Sequence, residues 1–205
     1  MWRFFICILI ILAALITPNS ELLLKNVGVN QTRIGFLHAL RHMGANIELQ
    51  KEIDSFEPTA DILVRTSSLK GITLNKNLVA NMIDEMPAFF VAASLAEGTT
   101  KVKGVKELRA KESDRLQSMS EVLNSFGVKF RLEEDGIVIQ GLGKDGTLKA
   151  STINSHGDHR IAMAGSIGSI RADGETTILD CLNVNTSFPN FIDICKQVGI
   201  SIEAS

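Results

Sequence analysis

The run T-K-V-K-G-V at residues 100–105, S-D-R-L-Q-S-M-S-E-V-L-N-S-F at 113–126, G at 127 and V-K-F-R-L at 128–132 decides the fold. Leu116, Met119, Leu123 and Phe126 recur at helical spacing and predict an amphipathic helix. Gly127 suits the left-handed position just past a helix end, where a β-carbon is disfavoured. Beyond it Val128, Phe130 and Leu132 alternate with Lys129 and Arg131, the two-residue period of a strand with one covered face. The same recipe recurs upstream as 21–27, 33–43, Gly44 and 45–49, and downstream as 176–182, 188–198, Gly199 and 200–204. In the third copy Phe188, Phe191, Ile192, Cys195 and Val198 share the apolar face.

The three copies are not identical. From Val27 to Gly44 is 17 residues, as from Leu182 to Gly199, whereas Val105 to Gly127 is 22. The extra residues fall around Arg109, Ala110, Lys111, Glu112 and Ser113, a charged insertion where a functional loop would be grafted onto a regular unit. A segment of small and apolar residues precedes each copy, at 4–15, 87–95 and 161–170, and Ala162, Ala164, Gly165 and Gly168 suit close packing on all sides. Residues 4–16 after Arg3 also have the length and polarity of a secretory signal and are too short to span a bilayer. Their equivalence to the other two segments makes them a core helix. Strand pairs are expected at 61–65 with 72–74 and at 137–139 with 148–150, the latter joined by a turn at 141–146. The expected fold class is α/β, with three repeated βα units around buried core helices in a single domain, 1–205.

Composition narrows the partners. With 45% hydrophobic and 21% charged residues the chain is too apolar for disorder, and a net charge of −2 offers no basic excess for nucleic acid or an anionic membrane. Three cysteines, Cys7, Cys181 and Cys195, make no disulfide framework, which points to a reducing, cytoplasmic setting. Cys181 and Cys195 read as core.

Three charged clusters lie where the units meet their core helices: I-D-E-M-P at 83–87, K-E-S-D-R at 111–115 and G-D-H-R at 157–160. Helix N-termini favour anions. Arg160 in a first helical turn opposes that dipole, so its charge calls for an anion. Asp158 and Asp84 also read as helix caps, and 111–115 as a solvated helix start. Taken together, two arginines, a lysine and carboxylates at equivalent ends of repeated units would form anion clamps beside groups able to act as acid and base. His38 and His42 share a helical spacing but have no third ligand, so no metal is expected. No P-loop, dinucleotide glycine fingerprint, Cys-x-x-Cys or Gly-x-Ser-x-Gly occurs.

With I-D-E-M-P (83–87), A-E-G-T-T (96–100), E-L-R-A-K-E-S-D-R-L (107–116), D-H-R-I-A-M (158–163) and S-F-P-N-F (187–191), the chain resembles 5-enolpyruvylshikimate-3-phosphate (EPSP) synthases, the 3-phosphoshikimate 1-carboxyvinyltransferases. A-A-L-I-T-P-N-S-E-L (13–22), N-x-T-R-x-G (30–35) and M-G-A-N-I-E (43–48) extend the likeness. The resemblance implies transfer of the enolpyruvyl group of phosphoenolpyruvate to the 5-hydroxyl of shikimate 3-phosphate, through a tetrahedral ketal and without metal or organic cofactor. It implies Asp84 as proton acceptor at that hydroxyl, Lys111 beside it, and Glu112 as the acid that protonates the methylene carbon. Arg115 and Arg160 correspond to the arginines that bind the phosphate and carboxylate of phosphoenolpyruvate.

The family has two domains of three units each, and this chain resembles only the C-terminal half. The N-terminal lysine, serines and arginines that hold shikimate 3-phosphate have no counterpart, so the chain is expected to be inactive unless a complementary N-terminal half joins it. Thr186 stands where some members have a lysine, and Met1-Trp2-Arg3 where they have G-D-x-S-S, which reads as a truncated or re-started coding sequence. A non-catalytic anion-binding remnant and a relative of the UDP-N-acetylglucosamine enolpyruvyl transferases are the alternatives.

Overall fold

The computed structural model describes residues 3–30, 32, 34–53 and 55–204, with side chains from Cys7 onward. Met1, Trp2 and Arg33, which the sequence reading touched, lie outside the described residues. Three helices form the middle of the molecule: α1 (Arg3–Ile16), α4 (Met86–Ser94) and α6 (His159–Gly168). They pack on one another, and residues 8–16 of α1, every residue of α4 and most of α6 are buried. A helix apolar on every side has no solvent face to offer, so the core closes around it. Residues 4–16 thus serve as a core helix, and none of the described helices is long and apolar enough to cross a membrane.

Around this core run three βα units. Unit one comprises β1 (Glu21–Gly28), α2 (Gly35–His42), β2 (Asn46–Ile53) and β3 (Thr59–Arg65), followed by the short α3 (Lys76–Ala80). Unit two comprises β4 (Thr99–Lys103), α5 (Arg115–Ser125), β5 (Lys129–Glu133) and β6 (Gly136–Gln140). Unit three comprises β8 (Thr177–Leu179), the short α7 (Asn183–Ser187) and α8 (Phe191–Gln197), with β7 (Thr152–Asn154) leading into α6. The helix stops fall where the glycines predict, with φ of +89° at Gly44, +74° at Gly127 and +85° at Gly199.

The sheets depart from the expected pairings. β3 is the middle strand between β1 and β2, and β6 the middle strand between β4 and β5, all antiparallel. With both edges of β3 and β6 occupied, residues 72–74 and 148–150 cannot pair with them. They turn outward instead: Lys70 and Thr73 bridge in parallel to Glu97 and Lys101, and Leu148 to Ala172. These bridges, with β7 running parallel to β8, stitch each unit to the next. Residues 200–204 form no strand despite their alternation.

α5 and α8 start later than the periodicity suggests. α5 begins at Arg115 because Asp114 is its cap, its carboxylate accepting from the Gln117 N–H at 2.9 Å. α8 begins at Phe191, since Phe188 is non-helical (φ −150°, ψ 78°) and Pro189 follows it. The charged insertion runs from the end of a 3-10 turn, Lys106–Ala110, through a bend at 111–113. Cys195 is buried as expected, but Cys181 lies exposed just beyond β8.

Candidate active site

Asp84, Lys111, Glu112, Arg115 and Arg160 come from three segments far apart in sequence, and the fold gathers them around one guanidinium. Arg115 opens α5 and points inward, its side chain 1% exposed. Its Nε donates to Asp158 Oδ2 at 2.8 Å, its Nη1 to Asp84 Oδ1 at 3.2 Å and its Nη2 to Glu112 Oε2. A guanidinium suits this task because its donors diverge in one plane and its charge is not lost.

Each carboxylate is placed by a different local device. Asp84 sits in the 3-10 turn Ile83–Glu85 that runs into α4, and not at a helix cap. Glu112 lies in the bend before α5, three residues ahead of Arg115. Asp158, fully buried, is the cap of α6, and its Oδ1 accepts the Arg160 N–H at 2.9 Å. Ser113 donates its hydroxyl to Asp158 Oδ2 at 3.1 Å, tying the insertion to the start of α6.

Lys111 and Arg160 approach Asp84 from its remaining sides. Lys111 Nζ is 3.4 Å from Asp84 Oδ1 and 2.7 Å from Glu107 Oε1. Arg160 Nη1 donates to the Asp84 carbonyl oxygen at 2.8 Å, and its guanidinium lies 3.8 Å from the Asp84 carboxylate and 3.9 Å from that of Glu85. The anion that the charge of Arg160 calls for is therefore provided in part by its own chain. Asp84 and Glu112 are 43% and 56% exposed, against 17% for Arg160 and 23% for Lys111. The surface thus presents acid and base groups above a floor of cations.

The electrostatics follow from burial and pairing. Burial alone would raise the Asp158 carboxyl, but the hydrogen bond and charge of Arg115, the Arg160 N–H and the Ser113 hydroxyl together hold it below its ordinary range. The Lys111 ammonium is held up by its hydrogen bond to Glu107, with Asp84 adding to it. Burial lowers Arg160. His159 is lowered by burial first and then by the adjacent Arg160.

A pH dependence of stability follows. His159 and Asp158 each bind a proton less readily in the folded chain than in the unfolded one, so each contributes stability that is lost as pH falls. Unfolding free energy from urea melts should decline as pH drops below about 6.5, and again below about 4. His159→Gln should flatten the upper part of that decline, and an unchanged slope there would exclude His159 as its source.

The sequence did not point to Asp158 as the shared partner of Arg115 and Ser113, nor to Glu107 as a partner of Lys111. The Asp158 contact spans 43 residues, and no local pattern encodes it; its capping role was legible. Glu107 stands four residues before Lys111, a spacing that places charges together on any helical turn. Thr186 joins Lys25, Asn26, Val27 and Phe188 around a separate cleft of about 610 Å³, which shares no lining residue with the Asp84 cluster. Among the described residues, no three metal-ligating side chains are grouped.

Comparison with known proteins agrees with the architecture. The family model described as EPSP synthase (3-phosphoshikimate 1-carboxyvinyltransferase) matches residues 8–195. The 3-phosphoshikimate 1-carboxyvinyltransferase of Methylococcus capsulatus is 44% identical over 196 residues, covering 95% of this chain and 44% of the relative. That of Legionella pneumophila is 45% identical over 194 residues, covering 94% and 44%. The structure of EPSP synthase from Acinetobacter baumannii superposes with a TM-score of 0.94 at 40% identity, covering 98% of this chain and 46% of that one. The enolpyruvyl transferase NikO from Streptomyces tendae shares the fold, with a TM-score of 0.77 at 13% identity. The chain spans less than half the length of these relatives, and within that span it belongs to the EPSP synthase family.

Proposed function

We propose that this chain is one domain of a two-domain 3-phosphoshikimate 1-carboxyvinyltransferase, and that it works with a complementary N-terminal half. One observation carries the reading: the Asp84 carboxylate lies within reach of Lys111, Arg115 and Arg160, while Glu112 shares the Arg115 guanidinium.

In this reading Arg160 meets the incoming anion first, and Arg115 is reached as Glu112 or Asp84 swings aside. The two hold the carboxylate and phosphate of phosphoenolpyruvate. Glu112 gives its proton to the methylene carbon, which becomes a methyl group. The 5-hydroxyl oxygen of shikimate 3-phosphate attacks the neighbouring carbon and releases its proton to Asp84, with Lys111 beside it. A tetrahedral ketal results. Glu112, now a carboxylate, takes a proton back from the methyl group as phosphate leaves the ketal carbon with the proton held by Asp84, and the double bond is restored as the enol ether. Cations fixed beneath the reacting groups stabilise the charge that develops, without having to reorganise.

A cleft built by two domains depends on both to bring two substrates together, and well-oriented reactants gain on the order of 10⁵ M or more in effective concentration. The purified chain with both substrates should therefore release phosphate at least ~10⁴-fold more slowly than the same chain mixed with a complementary half. Phosphate release reads this directly. Comparable rates with and without the added half would overturn the proposal, and so would no rate in either.

A further inference from the structure

Leu108 and Arg115 are buried, but no side chain between them is, and residues 111–114 belong to no helix or strand. Neither core packing nor a backbone ladder therefore fixes the stretch that carries Lys111 and Glu112. Polar side-chain contacts hold it instead. At its inner end Ser113 and Arg115 reach Asp158, and Glu112 reaches Arg115. Arg109 supplies the outer end.

The Arg109 guanidinium holds three points. Its Nη1 donates to Asp114 Oδ2 at 2.8 Å, its Nη2 to the Glu133 carbonyl oxygen at 3.3 Å and its Nε to the Glu134 carbonyl oxygen at 3.2 Å. The two carbonyls lie where a tight turn joins β5 to β6. That turn is itself fastened to the start of the insertion. The Asp135 carboxylate accepts from the Lys106 N–H at 2.7 Å, and the Asp135 carbonyl accepts from the Gly104 N–H at 2.9 Å. The β5–β6 hairpin is thus a fixed abutment, and a planar guanidinium suits the task because its donors diverge toward separate acceptors.

The Asp114 carboxylate is divided between two tasks. Its Oδ1 caps α5 through the Gln117 N–H, and its Oδ2 is held by Arg109. The ion pair closes a ring from Arg109 to Asp114 that contains Lys111, Glu112 and Ser113, and it does so at the residue next to Arg115. Closing a loop removes conformations in which its members drift apart. The nitrogens of Arg109 face acceptors of its own chain, so the side chain is placed to hold the loop and not to bind an incoming anion.

We propose that Arg109 is a positioning residue of this site. By closing the ring against the β5–β6 turn it sets Lys111 and Glu112 beside Asp84 and Arg115, and it touches no substrate itself. For its consequence in turnover the inference rests on the reaction proposed above; for the geometry it does not. The effect falls on chemistry more than on binding, because Glu112 and Lys111 belong to the ring, whereas Arg160 stands on α6 and is held by the Asp84 carbonyl.

Arg109→Ala and Asp114→Asn test this. In Asp114→Asn the amide oxygen still caps α5 while the amide nitrogen faces the guanidinium, donor against donor, so the hold is lost and the cap is kept. In each variant of the full chain alone, the amides of residues 111–113 should exchange about tenfold faster than in the parent, or more, while those of β6 keep their rates. With the complementary half added, kcat should fall by about 10–10²-fold, the cost of displacing catalytic groups by about an ångström. KM for phosphoenolpyruvate should stay within about threefold of the parent's. The double variant should be no slower than Arg109→Ala, since both substitutions remove one contact. Unchanged exchange at 111–113 would overturn the proposal. So would a lower melting temperature with kcat at the parent's value, the mark of a residue that serves the fold alone. Should the parent itself show no turnover with the added half, the two-part reading fails, and the exchange rates decide whether Arg109 holds the ring.

Discussion

Arg115→Met should lower the free energy of unfolding by about 3–5 kcal/mol, the range for removing one partner of a buried ion pair. The loss comes from what is left behind. Asp158 is fully buried and takes its charge partner from Arg115 Nε, so without that donor a carboxylate is stranded in the core. Asp84 and Glu112 also lose the cation between them. Urea unfolding measures the effect. Asp158→Asn added to Arg115→Met should recover part of it, because the amide can still cap α6 without a buried charge, and the double-mutant cycle should show coupling above ~1 kcal/mol. Arg115→Lys should recover little, since one ammonium cannot direct donors along three directions. A cost below about 1 kcal/mol for Arg115→Met would mean that the cluster does not hold these segments together.

In the chain joined to its complementary half, Asp84→Ala and Glu112→Ala should each lower kcat by about 10²–10⁴, the usual contribution of a positioned acid or base. The two carboxylates are about half exposed, so the melting temperature should move far less than in Arg115→Met. Arg160→Ala should act differently: in the proposed reaction it removes a cation that would meet substrate before and during the chemistry, so KM for phosphoenolpyruvate should rise along with the fall in kcat. Equal kcat in Asp84→Ala and the parent would remove Asp84 from the reaction.

Particular elements show why parts of this structure were legible in the sequence. The core helices declare themselves because residues 8–16 and 86–94 have no polar face to place in water. The helix stops at Gly44, Gly127 and Gly199 follow from a backbone conformation that other residues resist. Residues 200–204 carry the same alternation as β2 and β5, yet alternation specifies a face and not a partner, and no middle strand among the described residues pairs with them. The pairings of 72–74 and 148–150 differ from those expected for the related reason that sheet order is a property of the assembled units. α7 escaped notice because only Val184 of its five residues is buried. At the site, the five charged residues were visible as clusters at equivalent unit ends. Glu112 is a local, i,i+3 partner of Arg115, but the contacts of Arg115 with Asp84 and Asp158 and of Arg160 with Asp84 join residues 31 to 76 positions apart, which no local spacing encodes.

The position of phosphoenolpyruvate in a crystal of the reconstituted pair tests the central claim most directly. Its carboxylate and phosphate oxygens should lie within hydrogen-bond distance of Arg160 and Arg115, with the methylene carbon beside Glu112. Density for the ligand in the Lys25–Thr186 cleft, with Arg115 still bound to all three carboxylates and touching no substrate atom, would contradict it.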